Sequence, residues 1–177
     1  MTRKQTAHLL TLGFLLASVN AANAAAPPPP AGCKAPQSRQ LDFWVGKWNI
    51  YPKATPDKRT ATSVVESLYE GCTIRENWKP LAGSGGGSLS TYDAAKDSWR
   101  QFWTDAYGGV AEFNGGWNGT SMMITGTWPQ PQHPTQMTRM RYTPLPDGSV
   151  EQAGETSDDN GKTWQPGFDL IYRKAGE

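Results

Sequence analysis

Ser157-Asp158-Asp159-Asn160-Gly161-Lys162-Thr163-Trp164 (SDDNGKTW) joins two segments that read as strands, Ser149 to Ser157 and Thr163 to Arg173. Asp159 and Asn160 can bond nearby backbone amides, Gly161 supplies a positive φ, and Thr163 and Trp164 start the returning strand. Each residue therefore has a role in a hairpin. Outward from this turn the same grammar repeats. Strand-like runs appear at Trp44 to Tyr51, Thr60 to Leu68, Cys72 to Lys79, Ser88 to Tyr92, Ser98 to Asp105, Val110 to Gly115, Thr120 to Trp128 and Gln136 to Thr143. Short joins with turn chemistry separate them, among them Asp93 to Asp97, Trp117-Asn118-Gly119 and Pro146-Asp147-Gly148. No window holds an apolar stripe at helical spacing for long, and one helical turn is expected at Gln40 to Phe43. The expected fold is all-β: an antiparallel meander of about eight to ten strands that closes into a barrel, because closure removes exposed edges.

The spacing S-x-D-x-G-x-T-W in residues 157–164 also matches the "Asp box" that recurs in sialidase propellers. A propeller needs several blades of about four strands each, and this chain carries a single copy of the motif. The motif is read as a turn, and a fold motif does not carry a function by itself.

Arg3 and Lys4, the apolar run Leu9 to Val19 and the small-x-small site Ala22-Asn23-Ala24 form the pattern of a signal peptide over residues 1–24. The run is too short for a membrane helix. Residues 25–38 are a proline- and alanine-rich lead-in, and residues 39–177 a single barrel domain, expected to be periplasmic or secreted. The chain has 17 basic and 16 acidic residues; without Arg3 and Lys4 the balance is 15 to 16, a net charge of −1. That balance argues against nucleic acid as a partner. Cys33 and Cys72 are an even pair in an exported chain and point to a disulfide, with two free thiols as the alternative.

Leu41-Asp42-Phe43-Trp44-Val45-Gly46-Lys47-Trp48 near one end and Tyr172-Arg173-Lys174 near the other place Gly-x-Trp (Gly46, Trp48) on the first strand and a basic residue on the last. This arrangement resembles the calycin superfamily, which includes lipocalins and fatty-acid-binding proteins. The resemblance implies that Trp48 plugs the barrel floor while Arg173 lies across its face. Further segments sharpen it: Gly71-Cys72 with Glu76-Asn77-Trp78, Tyr92-Asp93 with Trp99-Arg100-Gln101 and Trp103, and Pro144 to Ser149. Together with SDDNGKTW they are similar to a family of exported bacterial lipocalin-like proteins classed as a domain of unknown function, over roughly Arg39 to Lys174. That family implies no activity to carry over.

Side chains two apart share one face of a strand. Trp99, Gln101, Trp103 and Asp105 therefore lie together, as do Cys72, Ile74, Glu76 and Trp78. These faces combine aromatic rings with acids and an amide. If they point inward, a dry packed interior would strand a carboxylate at a cost of several kcal/mol, whereas an indole-lined, mildly polar pocket would not. The expected ligand-binding residues are Glu76, Trp78, Trp99, Gln101, Trp103 and Asp105, and the expected partner is a small hydrophobic or amphipathic molecule. Two bland placements remain open for the acids: the barrel rim, or pairing with arginines such as Arg75, Arg100, Arg139 or Arg141.

Other chemistry is poorly supplied. Gly83 to Gly87 lacks the Gly-Lys-Ser/Thr ending of a phosphate loop and reads as a linker or lid. His133 is solitary among prolines, unsuited to zinc or haem, and Met122, Met123, Met137 and Met140 read as adaptable core. No metal, cofactor or catalytic residue is expected. Two alternatives stand beside ligand binding: a hydrolase or isomerase built on Glu76 and Asp105 as a carboxylate pair, and an envelope-associated module with Trp44 or Trp117 in an exposed contact patch.

Overall fold

Ten strands form where β-branched and aromatic runs stand between turn residues. In the computed structural model, which describes residues 33–176, they are β1 (Gly46–Pro52), β2 (Ala61–Leu68), β3 (Thr73–Pro80), β4 (Gly86–Asp93), β5 (Ser98–Asp105), β6 (Val110–Trp117), β7 (Met122–Thr127), β8 (Met137–Pro144), β9 (Val150–Ser157) and β10 (Gln165–Lys174). Each pairs antiparallel with the next, and β10 returns to β1 to close the barrel. Every backbone edge is thereby used within the sheet. The signal-peptide reading and most of the lead-in lie outside the described residues. Among those described, no helix is long and apolar enough to cross a membrane.

The SDDNGKTW hairpin is held as its chemistry requires. The Ser157 hydroxyl donates to Asp159 Oδ1 at 2.8 Å and accepts from Gly161 N at 2.8 Å. Asp159 also accepts from Thr163 N (2.8 Å) and Thr163 Oγ1 (2.6 Å), which holds its carboxyl down at about 2. Asn160 and Gly161 take positive φ of 59° and 80°. Trp164 turns back to donate Nε1 to Gly161 O at 3.0 Å, and the Arg139 guanidinium covers its ring at 4.4 Å.

The expected helical turn is two 3₁₀ turns, Pro36–Arg39 and Asp42–Trp44, that cross one barrel end and form its floor. Trp44 is therefore in the core and fully buried, its ring 4.8 Å from Tyr142 and its carbonyl accepting from Trp48 Nε1 at 2.8 Å. An exposed Trp44 patch is excluded by this placement. Trp117 is half-buried against Phe43, 5.9 Å away.

Trp48 does plug the floor at 1% exposure, but Arg173 does not cover it. Tyr172 points inward, so its neighbour Arg173 points outward, over the Tyr51 ring at 4.7 Å. Lys174, opposite Trp48 in the β1–β10 ladder and on the inward phase, approaches the indole instead, at 5.9 Å. A disulfide joins Cys33 to Cys72, with Cα atoms 4.8 Å apart, and ties the lead-in to the β2–β3 turn at the floor.

Candidate functional site

Inside the barrel the side chains form three levels. The floor is apolar: Leu41, Trp44, Trp48 and Trp99 are all buried there. Above it, inward positions on most of the strands carry polar groups: Ser63 (β2), Glu76 (β3), Ser90 (β4), Gln101 (β5), Tyr142 (β8), Gln152 (β9) and Tyr172 (β10) join in one hydrogen-bonded belt. Above the belt, a cavity of about 370 Å³ opens toward the mouth, walled by Trp78, Trp103, Phe113, Trp128, Phe168 and Leu170 and floored by Glu76, Gln101, Tyr142, Gln152 and Tyr172. Three indoles form a collar: Trp103 lies 6.5 Å from Trp78 and 5.8 Å from Trp128, and Phe113 meets Trp128 edge-on at 6.0 Å.

Two glycines make room for this collar. A Cβ on Gly86 would stand 2.5 Å from the Trp103 ring, and one on Gly154 would stand 2.3 Å from the Phe168 ring. Both distances are below contact, so the rings reach their places only because these positions lack side chains. At Phe168 the β9–β10 register also shifts, between Pro166 and Phe168.

Glu76 is the one ionisable side chain of the belt with a pKa near neutrality. It is 5% exposed, and burial raises its carboxyl to about 7 against the lowering effect of hydrogen bonds from Ser63 and Tyr172. Both contacts fall on one oxygen: Ser63 Oγ and Tyr172 Oη each stand 3.1 Å from Oε1. Tyr172 is also 2.7 Å from Gln152 Oε1. A phenol has one proton. While Tyr172 gives it to Gln152, the shorter contact, the Glu76 contact is a hydrogen bond only when the carboxyl is itself protonated. On ionisation, the Tyr172 proton is drawn to Glu76 and Gln152 loses a donor. Burial, with the Glu76 charge second, pushes both Tyr142 and Tyr172 upward, so the phenols stay neutral. Ser88, opposite Glu76 in the β3–β4 ladder, is buried with no hydrogen bond of normal geometry, yet its hydroxyl is near enough to help lower the carboxyl.

The structure brings Glu76, Trp78, Gln101, Trp103 and Asp105 to the cavity wall and leaves Trp99 off it. Trp99 sits at the floor, 2% exposed, its Nε1 donating to Gln40 Oε1 at 3.1 Å. Residues on one face share a side but not a depth: Trp99 to Asp105 covers roughly 20 Å of strand, from floor to mouth. At the mouth Asp105 is committed to the β5–β6 turn, where its Oδ1 accepts from Tyr107 N and Gly109 N, both at 2.9 Å. Gly83 to Gly87 is partly strand, Gly86 and Gly87 opening β4, while Ser84 and Gly85 stand at the rim. Arg75, Arg100, Arg139 and Arg141 occupy the outward phase; Arg75 pairs with Glu66 and Arg139 with Glu155, leaving Glu76 without a cation.

Phe113, Trp128, Tyr142, Gln152, Phe168 and Tyr172 also line the cavity and were not among the site residues expected from sequence. The signal was present: Met140 and Tyr142, and Leu170 and Tyr172, follow the same two-residue alternation that marked Glu76 and Trp78. No protein-family model matches this chain, and a comparison with curated proteins finds no match.

Proposed function

We propose that this protein is an exported carrier of a small apolar or amphipathic molecule, a calycin-like barrel that holds its guest between the indole collar and the polar belt. The observation that carries this reading is the ring-walled cavity of about 370 Å³ with hydrogen-bonding groups gathered at its base. Its volume and its mostly apolar lining with a few convergent polar groups are those of small-molecule sites. Export is supported by the signal-like residues 1–24 and by the Cys33–Cys72 disulfide, a bond that persists in oxidising compartments such as the periplasm or the exterior.

Trp78, Trp103 and Trp128 line the site, so intrinsic fluorescence reports directly on occupancy. Titration with a panel of neutral aromatics, fatty alcohols and haem should give a saturable emission change with at least one class, together with a raised melting temperature. If neither this panel nor amphiphiles bearing a charged head group move either signal, the carrier reading falls.

A further inference from the structure

The cavity wall is electrostatically one-sided. Among the described residues lining it, the acidic side chains are Glu76 at the base and Asp105 at the rim, and no lysine, arginine or histidine joins them. Ser63 and Tyr172 both address Glu76 Oε1; among the described residues the Ser88 hydroxyl also comes near the carboxyl, but without the geometry of a hydrogen bond, and no hydrogen bond reaches Oε2. The carboxyl therefore presents one free oxygen at the bottom of a chamber whose walls are ring faces and edges. An anionic head group there would meet a carboxylate with nothing to neutralise it. A neutral alcohol could hydrogen-bond to Oε2 but would leave the ionised form of Glu76 without a counter-charge. A protonated amine supplies both the N–H donor and the charge, and its carbon framework fits among Trp78, Trp103 and Phe168, where a cation near a ring face gains further.

Resting on the carrier reading above, we infer that the guest is a lipophilic amine, bound as its ammonium with an N–H on Glu76 Oε2 and its hydrocarbon body in the indole collar. The free protein holds Glu76 with a pKa of about 7, and the ammonium selects the ionised carboxylate. Binding then releases a proton from Glu76 below neutrality. The other titratable groups facing this carboxyl are Tyr172 from β10 and Tyr142 from β8, both raised and neutral. From the remaining elements come the uncharged Ser63 of β2, Ser88 of β4, Gln101 of β5 and Gln152 of β9, with Asp105 away at the rim.

The test uses three probes of one skeleton, 4-phenylbutylamine, 4-phenylbutanol and 4-phenylbutanoate, titrated calorimetrically into the whole mature protein. The amine should bind most tightly, about 30-fold more strongly at pH 8 than at pH 5.5, and should release about 0.9 proton at pH 6, read from buffers of different ionisation enthalpy. Glu76→Gln keeps the shape and the Ser63 contact; it should weaken the amine by about 30-fold or more, abolish the pH dependence, and leave the alcohol within about threefold. An alcohol or carboxylate that binds as well as the amine, or an amine whose affinity ignores pH and Glu76→Gln, overturns the ammonium inference and leaves the carrier reading standing. Failure of all three probes and of the neutral panel overturns both.

Discussion

Glu76 is a carboxyl that folding makes harder to ionise. Its pKa rises from the ordinary 4.5 to about 7 because burial takes the carboxyl out of water with no cation beside it, and the hydrogen bonds it receives offset only part of that. In the folded state it holds a proton that the unfolded chain gives up above pH 4.5, so the native protein binds more protons between those values and stability falls as pH rises through that window. The full difference is about 3 kcal/mol, present below pH 4.5 and lost above pH 7. Glu76→Gln removes the penalty: urea unfolding at pH 8 should show the variant more stable by up to about 3 kcal/mol, with wild type and variant converging at pH 4. Asp159 has the opposite sign. Its hydrogen bonds from Thr163 and Ser157 lower it to about 2, so its contribution is present above pH 3.8 and fades below. Asp159→Ala should lower the melting temperature by a few degrees at pH 7 and leave fluorescence titrations unchanged, since the turn lies off the cavity. An altered ligand affinity would show that the SDDNGKTW turn shapes the site.

The two 3₁₀ turns and β1 act as one element that closes the barrel floor. Trp48, locked to Trp44 through its Nε1 and packed edge-on against Tyr172 at 6.3 Å, is its keystone. Trp48→Ala leaves a void the surrounding strands cannot collapse into, and chemical denaturation should register a loss of about 3–5 kcal/mol. Strands β9 and β10 make the other decisive contact, where Gly154 gives way to Phe168. Gly154→Ala should push that ring toward the cavity, weakening binding of a bulky aromatic probe more than it lowers stability; unchanged affinity would mean the ring relocates outward. Existence and order of all ten strands are legible from β-branched and aromatic runs between turn residues. Their bounds shift where a side chain is needed elsewhere or has no room. Trp44 leaves the first strand because it packs under the floor, and Gly86 and Gly87 join β4 because the Trp103 ring and the Glu76 carbonyl leave no space for side chains.

For the molecule as a whole, a closed meander with one disulfide divides labour between its ends. The Cys33–Cys72 bridge spans 39 residues and pins the lead-in to the floor, at the end of the barrel away from the cavity mouth. In the chain-entropy account such a loop contributes up to about 4 kcal/mol. Cys33→Ser should therefore shift the urea midpoint downward by that order while leaving the saturable fluorescence response intact. A variant that folds normally and loses the response would place the disulfide in the site's architecture. The mouth end carries the rim loops, Ser84, Gly85 and the largely exposed Tyr107, and is the route by which a guest would enter.

Strand alternation, turn residues and the paired cysteines are local properties, each set by a few neighbouring residues, and they are enough to read an all-β meander of eight to ten strands, which side chains share a face, and a cross-link from the chain alone; which face turns inward is not among them. Depth along the barrel axis is a different matter, because it depends on how far each strand slides against its neighbours. That stagger put Trp99 at the floor and Trp103 in the collar, tied Asp105 to a turn, and exchanged Arg173 for Lys174 at Trp48. It also gathered Ser63, Glu76, Gln101, Tyr142, Gln152 and Tyr172 from separate strands into one belt, so that a carboxyl with no cation beside it came to face a cavity.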